Sequence, residues 1–302
     1  MINLKILKVV ALSIFSLICV GIIFVFEIKD WPAGSSLAGI ALGFSIPALF
    51  SFIQDLTDTT KWKVSQRRLE RGKFINKDTF IRISFAYLFR IKIDNKYFLV
   101  MNSRNTGKYQ PVGGVYKYDQ SEYTFLKNKY HVVDDDKISS DSSSRLDYRL
   151  TLKNQDLRSF LKRFNSKKSN RERIEDASRE FKEELINTGV LSWTDLEYRV
   201  CGRHITEIKY SEHFQIYELL LADIVEVNLT PQQESDLRTL MSTPNSDYRF
   251  AKSDEIKSLG IDISAHDLRE TIADHTIKIL QETEGDLTPI PGVKRTSYSV
   301  TL

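Results

Sequence analysis

The segment Arg179-Glu180-Phe181-Lys182-Glu183-Glu184 holds the densest chemistry in the chain. On a helix, positions i, i+3 and i+4 share a face. Glu180, Glu183 and Glu184 are therefore expected on one stripe. Three like charges so close repel, and a hard divalent cation such as Mg²⁺ or Mn²⁺, which prefers carboxylate oxygen, would remove the conflict. Such an ion could hold a diphosphate and orient an attacking water. The competing reading is an ordinary acidic solvent face, eased by Arg179 and Lys182.

Upstream, Pro111-Val112-Gly113-Gly114 ends a short strand-like stretch, and the two glycines would let backbone approach a phosphate closely. Arg104, Tyr109, Tyr116 and Tyr118 lie near them and could pair with or stack on a nucleotide. The alternative is that these are core and surface tyrosines of a β-rich domain. His204, Glu207, Glu212 and His213 invite a metal reading. No cysteine pair and no His-Glu-x-x-His spacing supports it, so they read as polar strand-edge residues. Asp134-Asp135-Asp136 runs into Ser139–Ser144 and reads as a solvated loop.

The elements that must position these groups follow from periodicity. Phe80–Ile91 is strand-like, Asn95-Lys96 turns, and Tyr97–Val100 pairs back as a hairpin. Leu157–Phe164 predicts a short amphipathic helix, and Glu172–Leu185 a longer one rich in helix formers. Strands are expected around Glu197–Thr206 and Phe214–Val227. Ser253-Asp254-Glu255-Ile256 has an N-cap pattern. Asp267–Leu280 predicts a helix with Leu268, Ile272, Ile277 and Leu280 toward the core. From about Glu284, with Pro289, Pro291 and Gly292, the chain is expected to be loose.

The averages over 302 residues look soluble: 41% hydrophobic, 27% charged, mean hydropathy −0.29. They hide a strong asymmetry. Val9–Phe26 and Leu37–Ile53 are uncharged runs of 18 and 17 residues. The first spans roughly 27 Å as a helix, against a hydrocarbon core of about 30 Å. The connector Glu27–Ser36 carries charges and Trp31, a residue type enriched at membrane interfaces. A signal peptide is the first competitor, but Phe-Val-Phe-Glu offers no small-x-small cleavage site. A buried soluble hairpin would not need runs apolar around their whole circumference.

Lysine and arginine set the orientation. Lys5 and Lys8 precede the first span; Lys61, Lys63, Arg67, Arg68, Arg71 and Lys73 follow the second. Positive-inside then places both ends in the cytoplasm. Two cysteines, Cys19 and Cys201, suit that reduced compartment. Gly39 and Gly43 form a Gly-x-x-x-Gly spacing, and Pro47 is expected to kink the span. The net charge of +3 is too small to argue for a nucleic acid polymer. The expected organisation is residues 1–60 for two spans, 61–77 for a basic juxtamembrane helix, 78–283 for one domain with an insert over 117–170, and 284–302 for a tail.

Arg179-Glu180-Phe181-Lys182-Glu183-Glu184 resembles the core of the Nudix box, G-x5-E-x7-R-E-U-x-E-E-x-G-U. Pro111-Val112-Gly113-Gly114 is similar to the Pro-x-Gly-Gly that opens a Nudix loop, and Tyr248–Phe250 with Ser253–Ile256 to the family's closing strand and helix. The departures are specific. More than fifty residues separate Gly114 from the helix. Eight positions before Arg179 stands Arg171, with Glu172 one position off. The closing glycine comes only at Gly189. This variant box behind two spans resembles SMODS-associated Nudix domains and the 2TM-Nudix effectors of CBASS, the cyclic-oligonucleotide-based anti-phage systems.

That resemblance implies an α+β fold, the α/β/α Nudix sandwich, preceded by a two-helix transmembrane hairpin. It implies Mg²⁺ or Mn²⁺ on Glu180, Glu183 and Glu184, with Glu183, and Glu207 or Glu212, in catalytic roles. Gly113, Gly114, Arg104, Tyr116 and Arg179 would contact the ligand. The implied partners are a cyclic oligonucleotide, the lipid bilayer and further copies of the chain. The implied function is a sensor whose spans disrupt the inner membrane, causing abortive infection. The other reading is a membrane-tethered Nudix hydrolase of a nucleoside diphosphate linked to another moiety.

Overall fold

The computed structural model describes residues 4–57, 60–102, 106–135, 146–243, 245–261 and 268–302. The chain forms two compact units, residues 1–64 and 65–302.

In the first unit, α1 (Leu4–Ile28) and α2 (Pro32–Thr57) form an antiparallel hairpin. Val9–Ile28 and Pro32–Leu49 are long and apolar enough to cross a membrane, and only 11% and 17% of these windows is buried. That exposure is opposite to a soluble core helix. Small residues make the contact. Ser16 and Ser45 share a buried 3.0 Å hydrogen bond, Cys19 and Ala38 are buried, and Phe26 packs where a side chain at Gly34 would stand. Gly39 and Gly43 have open surroundings and are not what joins α1 to α2. α2 continues through Pro47.

In the second unit the residues from Ser65 onward of α3 (Lys61–Arg71) are fixed by polar bonds. Ser65 Oγ accepts from Ile208 N (2.8 Å), Gln66 Nε2 donates to Asn154 Oδ1 (2.7 Å), and Glu70 Oε1 accepts from Asn154 Nδ2 (2.9 Å). Lys73 then takes a left-handed conformation (φ 60°) and ends the helix. Residues 65–71 of this helix are therefore part of the domain.

The domain is built on a mixed sheet around β1 (Phe80–Arg90). After β2 (Lys92–Ile93), β3 (Lys96–Met101) and β4 (Tyr109–Gln110) comes β5 (Gly113–Val115). Helix α4 (Gln120–Tyr130), β6 (Val133–Asp134), β7 (Arg149–Lys153) and α5 (Leu157–Phe164) follow. The short helix α6 (Arg179–Phe181) leads to β8 (Asp195–Ile205), β9 (Lys209–Ser211), β10 (Ile216–Val227), α7 (Pro231–Ser242), β11 (Tyr248–Ala251), α8 (Ser253–Lys257) and β12 (Ser297–Thr301). The main sheet runs β12-β8-β10-β1-β7-β6, with β5 also on β1 and β9 on β10. A second sheet runs β11-β3-β2, with β4 on β3. β1 and β10 are parallel; the other named main-sheet pairs are antiparallel.

Alternation along β1 divides the core. Phe85, Tyr87 and Phe89 enter an aromatic cluster with Tyr116, Tyr148, Phe164, Phe181 and Tyr198. Leu88 instead joins Leu99, Ala222, Ile224, Ala251, Ile256, Ile272 and Leu280, between the sheet and the β3/β11 side.

Several expectations are corrected. The segment 117–170, expected as an insert, supplies β7, which pairs with β1 from Phe80 to Ser84. Asp135 is not solvated but buried against Arg82 (2.7 Å), while Asp136 and Ser139–Ser144 lie outside the described residues. The segment 274–279 is a 3₁₀ helix with Leu268 exposed, and Asp267 is outside the described residues. The tail is structured. β12 covers the outer edge of β8, and Arg203 and Thr288 exchange backbone hydrogen bonds of 2.8 and 2.9 Å. An unpaired β8 edge would have left a row of open donors and acceptors.

Candidate functional site

The site is built where α6 meets the outer edge of β5. Even-numbered residues of this stretch bond to β1: Phe89 N donates to Val112 O and Tyr116 N to Phe85 O. The odd-numbered ones therefore present their backbone groups to the other side. There Gly113 N donates to Glu184 Oε2 (3.0 Å), Val115 O accepts from Arg179 Nη2 (3.0 Å), and Lys117 N donates to Glu172 Oε2 (3.2 Å). An edge strand is thus closed by charged side chains.

Arg179 is the hub. Besides Val115 O it reaches Glu180 Oε1 (2.6 Å), Glu183 Oε2 (3.2 Å) and Glu172 Oε2 (3.1 Å). Burial lowers its proton affinity, but Glu180 and Glu172 more than reverse this, and it stays protonated. Glu172 also accepts from the Tyr87 hydroxyl (2.8 Å), and burial together with Glu172 holds that phenol above its usual range. The glutamate one position off the box spacing therefore makes the brace. The sequence pointed at Glu172; it gave no sign of Tyr87, whose role depends on β1 lying opposite Gly114.

The two glycines have separate reasons. Gly113 has φ 142°, and a Cβ there would overlap Tyr87 O. Gly114 has ordinary backbone, but a Cβ would overlap the Glu180 carboxylate. Gly113 makes room for the backbone of β1 and Gly114 for the Glu180 carboxylate, and the Gly113 N–H, expected to face a phosphate, donates to Glu184.

The helix itself departs from the even stripe. Three α-helical residues pass into a π-helical turn, Lys182–Ile186, closed by Asn187 N to Lys182 O (2.8 Å). The stretch before it is a 3₁₀ turn, Ile174–Asp176, so no continuous helix covers Glu172–Leu185. π turns are rare and recur at functional sites. The widened turn changes how Glu183 and Glu184 follow Glu180. Burial raises Glu180, with Arg179 opposing it. Burial, reinforced by Glu180, pushes Glu184 up to about 8, with the Gly113 N–H working against it. The donors are all carboxylate oxygen, the type a hard divalent cation takes, but in this arrangement Glu180, Glu183 and Glu184 do not bring three donor atoms within 4.8 Å of one another.

Among the described residues, one trio of potential ligands has all its donor atoms within 4.8 Å: Cys201, Glu226 and Glu284. The buried Arg90 guanidinium already lies there, 2.5 Å from Glu284 and 3.7 Å from Glu226. A cation is supplied by the protein itself.

The remaining sequence candidates lie apart from α6. Glu207 pairs with Arg68 (3.0 Å), and Glu212 caps the β9–β10 turn through its carbonyl, which accepts from Gln215 Nε2. Both stand at the end of the sheet where Ile81 faces Tyr217, whereas Gly114 faces Tyr87. Six residues of β1 separate those ends, about 20 Å at roughly 3.3 Å each. Tyr116 is fully buried and donates to Asp223 Oδ2 (2.7 Å), so its ring has no face for a base. Tyr118 is likewise buried. Arg104 lies outside the described residues.

A carboxylate helix locked to a Gly-Gly strand by a Glu-Arg brace defines a Nudix domain. A family model described as the SMODS-associated NUDIX domain matches residues 80–280, and the chain belongs to that family. The comparisons with curated proteins and with solved structures found no match. The molecule is a Nudix domain behind two helices that can span a membrane, and Nudix domains commonly use divalent metals.

Proposed function

We propose that this protein is the membrane effector of a cyclic-oligonucleotide-based anti-phage system. The Nudix domain binds the cyclic nucleotide, and the spans then disrupt the inner membrane. The observation that carries this reading is that the charged groups of the box engage one another, in a chain that also carries a membrane hairpin. Arg179 is engaged by Glu172, Glu180 and Glu183, and Glu184 by Gly113 N, an arrangement suited to holding a ligand more than to turning it over. Glu180, Glu183 and Glu184 would hold Mg²⁺ or Mn²⁺, which when bound supplies positive charge for phosphate oxygens. The basic flanks of the spans support cytoplasmic ends. The open surroundings of Gly39 and Gly43 support contact with further copies. Ligand can drive such a change only by binding the clustered form more tightly.

The test is dye release from proteoliposomes carrying the full chain, with a panel of cyclic di- and trinucleotides added outside. Release with one member is expected; ligand binding without any release would remove the effector role.

The second reading is a tethered Nudix hydrolase, favoured by the rebuilt Glu172–Arg179 brace. Under it, Mg²⁺ or Mn²⁺ supports turnover of a nucleoside diphosphate derivative, and Glu183→Gln abolishes it. No product across a nucleotide panel would exclude it.

A further inference from the structure

The main sheet has two edges of unlike character. At one, β6 is two residues long, Val133-Asp134, and shortness and charge are how natural edges avoid a partner. At the other lies β12, Ser297-Tyr298-Ser299-Val300-Thr301, with no charge, no proline and an unbroken register on β8. Among the described residues none pairs with its outer side. Ser297, Ser299 and Thr301 are exposed, and Tyr298 and Val300 are half-buried.

The pairing with β8 decides which backbone groups of β12 are left over. Antiparallel ladders alternate between residues that exchange hydrogen bonds and residues that do not. Leu302 N donates to Thr194 O (2.9 Å), and Glu197 O accepts from Asn228 N (2.8 Å) on the β10 side. Tyr298 and Val300 therefore bond to Tyr198 and Leu196, their register partners, while Ser297, Ser299 and Thr301 turn N–H and C=O outward. An antiparallel copy centred on Ser299 matches this outward set with itself. Ser299 meets the partner's Ser299 and Ser297 meets the partner's Thr301, which gives about six main-chain hydrogen bonds. Hydroxyl side chains then lie opposite hydroxyls on one face, and Tyr298 lies opposite Val300 on the other, both favourable cross-strand pairs. The arrangement also suits a chain tied to a membrane. Four strand steps, at about 20–25° each, turn β7 by about 80–100° from β12. The end of β7 that holds α3 through Asn154 then points along the two-fold axis, and both copies face the same way.

We propose that β12 is the edge through which two copies of this chain join, by antiparallel pairing about Ser299 into one continuous sheet. The interface is isologous, the same strand serving on both sides. The pairing does not depend on what the Nudix-helix face does with a ligand. One short strand makes a small interface, below the roughly 1,000 Å² of a stable complex in free solution. Confinement of both copies to one bilayer supplies the local concentration that free solution does not. The final strand then has two uses: its inner edge closes β8, and its outer edge recruits a second domain.

The experiment is disulfide cross-linking of the full chain in proteoliposomes under a mild oxidant, with a melting temperature for each variant. Residues of a hydrogen-bonded antiparallel pair have Cα atoms about 5.5 Å apart, within reach of a disulfide. Ser299→Cys should therefore form a dimer by itself. Ser297→Cys and Thr301→Cys should not do so singly, because four residues of strand, about 13 Å, separate each from its own copy. A mixture of the two should cross-link. Wild type, whose Cys19 and Cys201 are buried, is the blank. Adding Ser299→Lys to both members of the mixture should abolish the dimer at an unchanged melting temperature, because it sets like charges directly opposite each other. Should Ser299→Cys not fold, the mixture still decides. No dimer from folded Ser299→Cys or from the folded mixture, or Ser297→Cys joining alone as readily as the mixture, overturns the interface. None of these outcomes bears on the nucleotide reading, which dye release tests separately.

Discussion

Gly113→Ala and Gly114→Ala should fail in different ways. At Gly113 the backbone is at φ 142°, and the added Cβ meets Tyr87 O and comes within 3.0 Å of Leu88 Cα. Both are backbone atoms of β1, paired to β5 at this point, so neither can move without opening the sheet. The conformational strain is about 1–3 kcal/mol and the overpacking about 1–3 kcal/mol more. At about 2–4 °C per kcal/mol, the melting temperature should fall by at least about 4 °C. At Gly114 the φ is ordinary, and the obstacle is the carboxylate of Glu180, the end of a flexible side chain. It can swing aside, giving up its 2.6 Å contact with Arg179, so the melting temperature should fall less than in Gly113→Ala. What changes is the carboxylate set, so Mn²⁺ affinity should fall in Gly114→Ala. Differential scanning fluorimetry of the full chain in detergent measures the first effect and Mn²⁺ titration the second. A Gly113→Ala protein that melts like wild type, or a Gly114→Ala protein that melts lower than it, would refute this division.

Three further outcomes are expected. Burial raises the Asp147 carboxyl above its unfolded value of 3.8 to about 6, so the folded state binds the extra proton between these values. Stability from this group is therefore present at low pH and lost as pH rises from about 4 to about 6; Asp147→Asn should flatten that part of a melting-temperature profile. Removing residues 294–302 uncovers β8 and takes Tyr298 from Tyr198, and should lower the melting temperature and promote aggregation, read by light scattering. Ser16→Ala with Ser45→Ala should weaken the hairpin by about 0.6 kcal/mol, the average for such bonds in membranes, read by cross-linking between the two helices.

The parts of this molecule legible in the sequence are those set by local patterns. Two uncharged runs marked α1 and α2, alternation marked β1, β8 and β10, and the Arg-Glu-Phe-Lys-Glu-Glu string marked the helix that meets β5. What was not legible depends on distant pairing. The final strand looked loose because Pro289, Pro291 and Gly292 break local order, yet the unpaired edge of β8 orders Ser297–Thr301. Ile277 counted as a core position on an α-helical period, but the 3₁₀ turn over 274–279 rotates it outward, while Ile279 is buried. Tyr116 looked available to a base because its neighbours are polar and glycine-rich; Asp223, more than a hundred residues away, buries it.

The glycine pair connects these lessons to function. Read as sequence, Gly113-Gly114 offered backbone N–H groups to a phosphate. In the fold, the strand edge they form faces α6, and two of its carboxylates enter first: Glu184 takes the donor and Glu180 the space. A ligand phosphate placed there would displace carboxylates, which repel it, unless a divalent cation intervened. The long segment between the glycines and the helix supplies β7, which pairs with β1, and the Glu172 carboxylate that braces Arg179, so its length is taken up by structure on which the helix position depends.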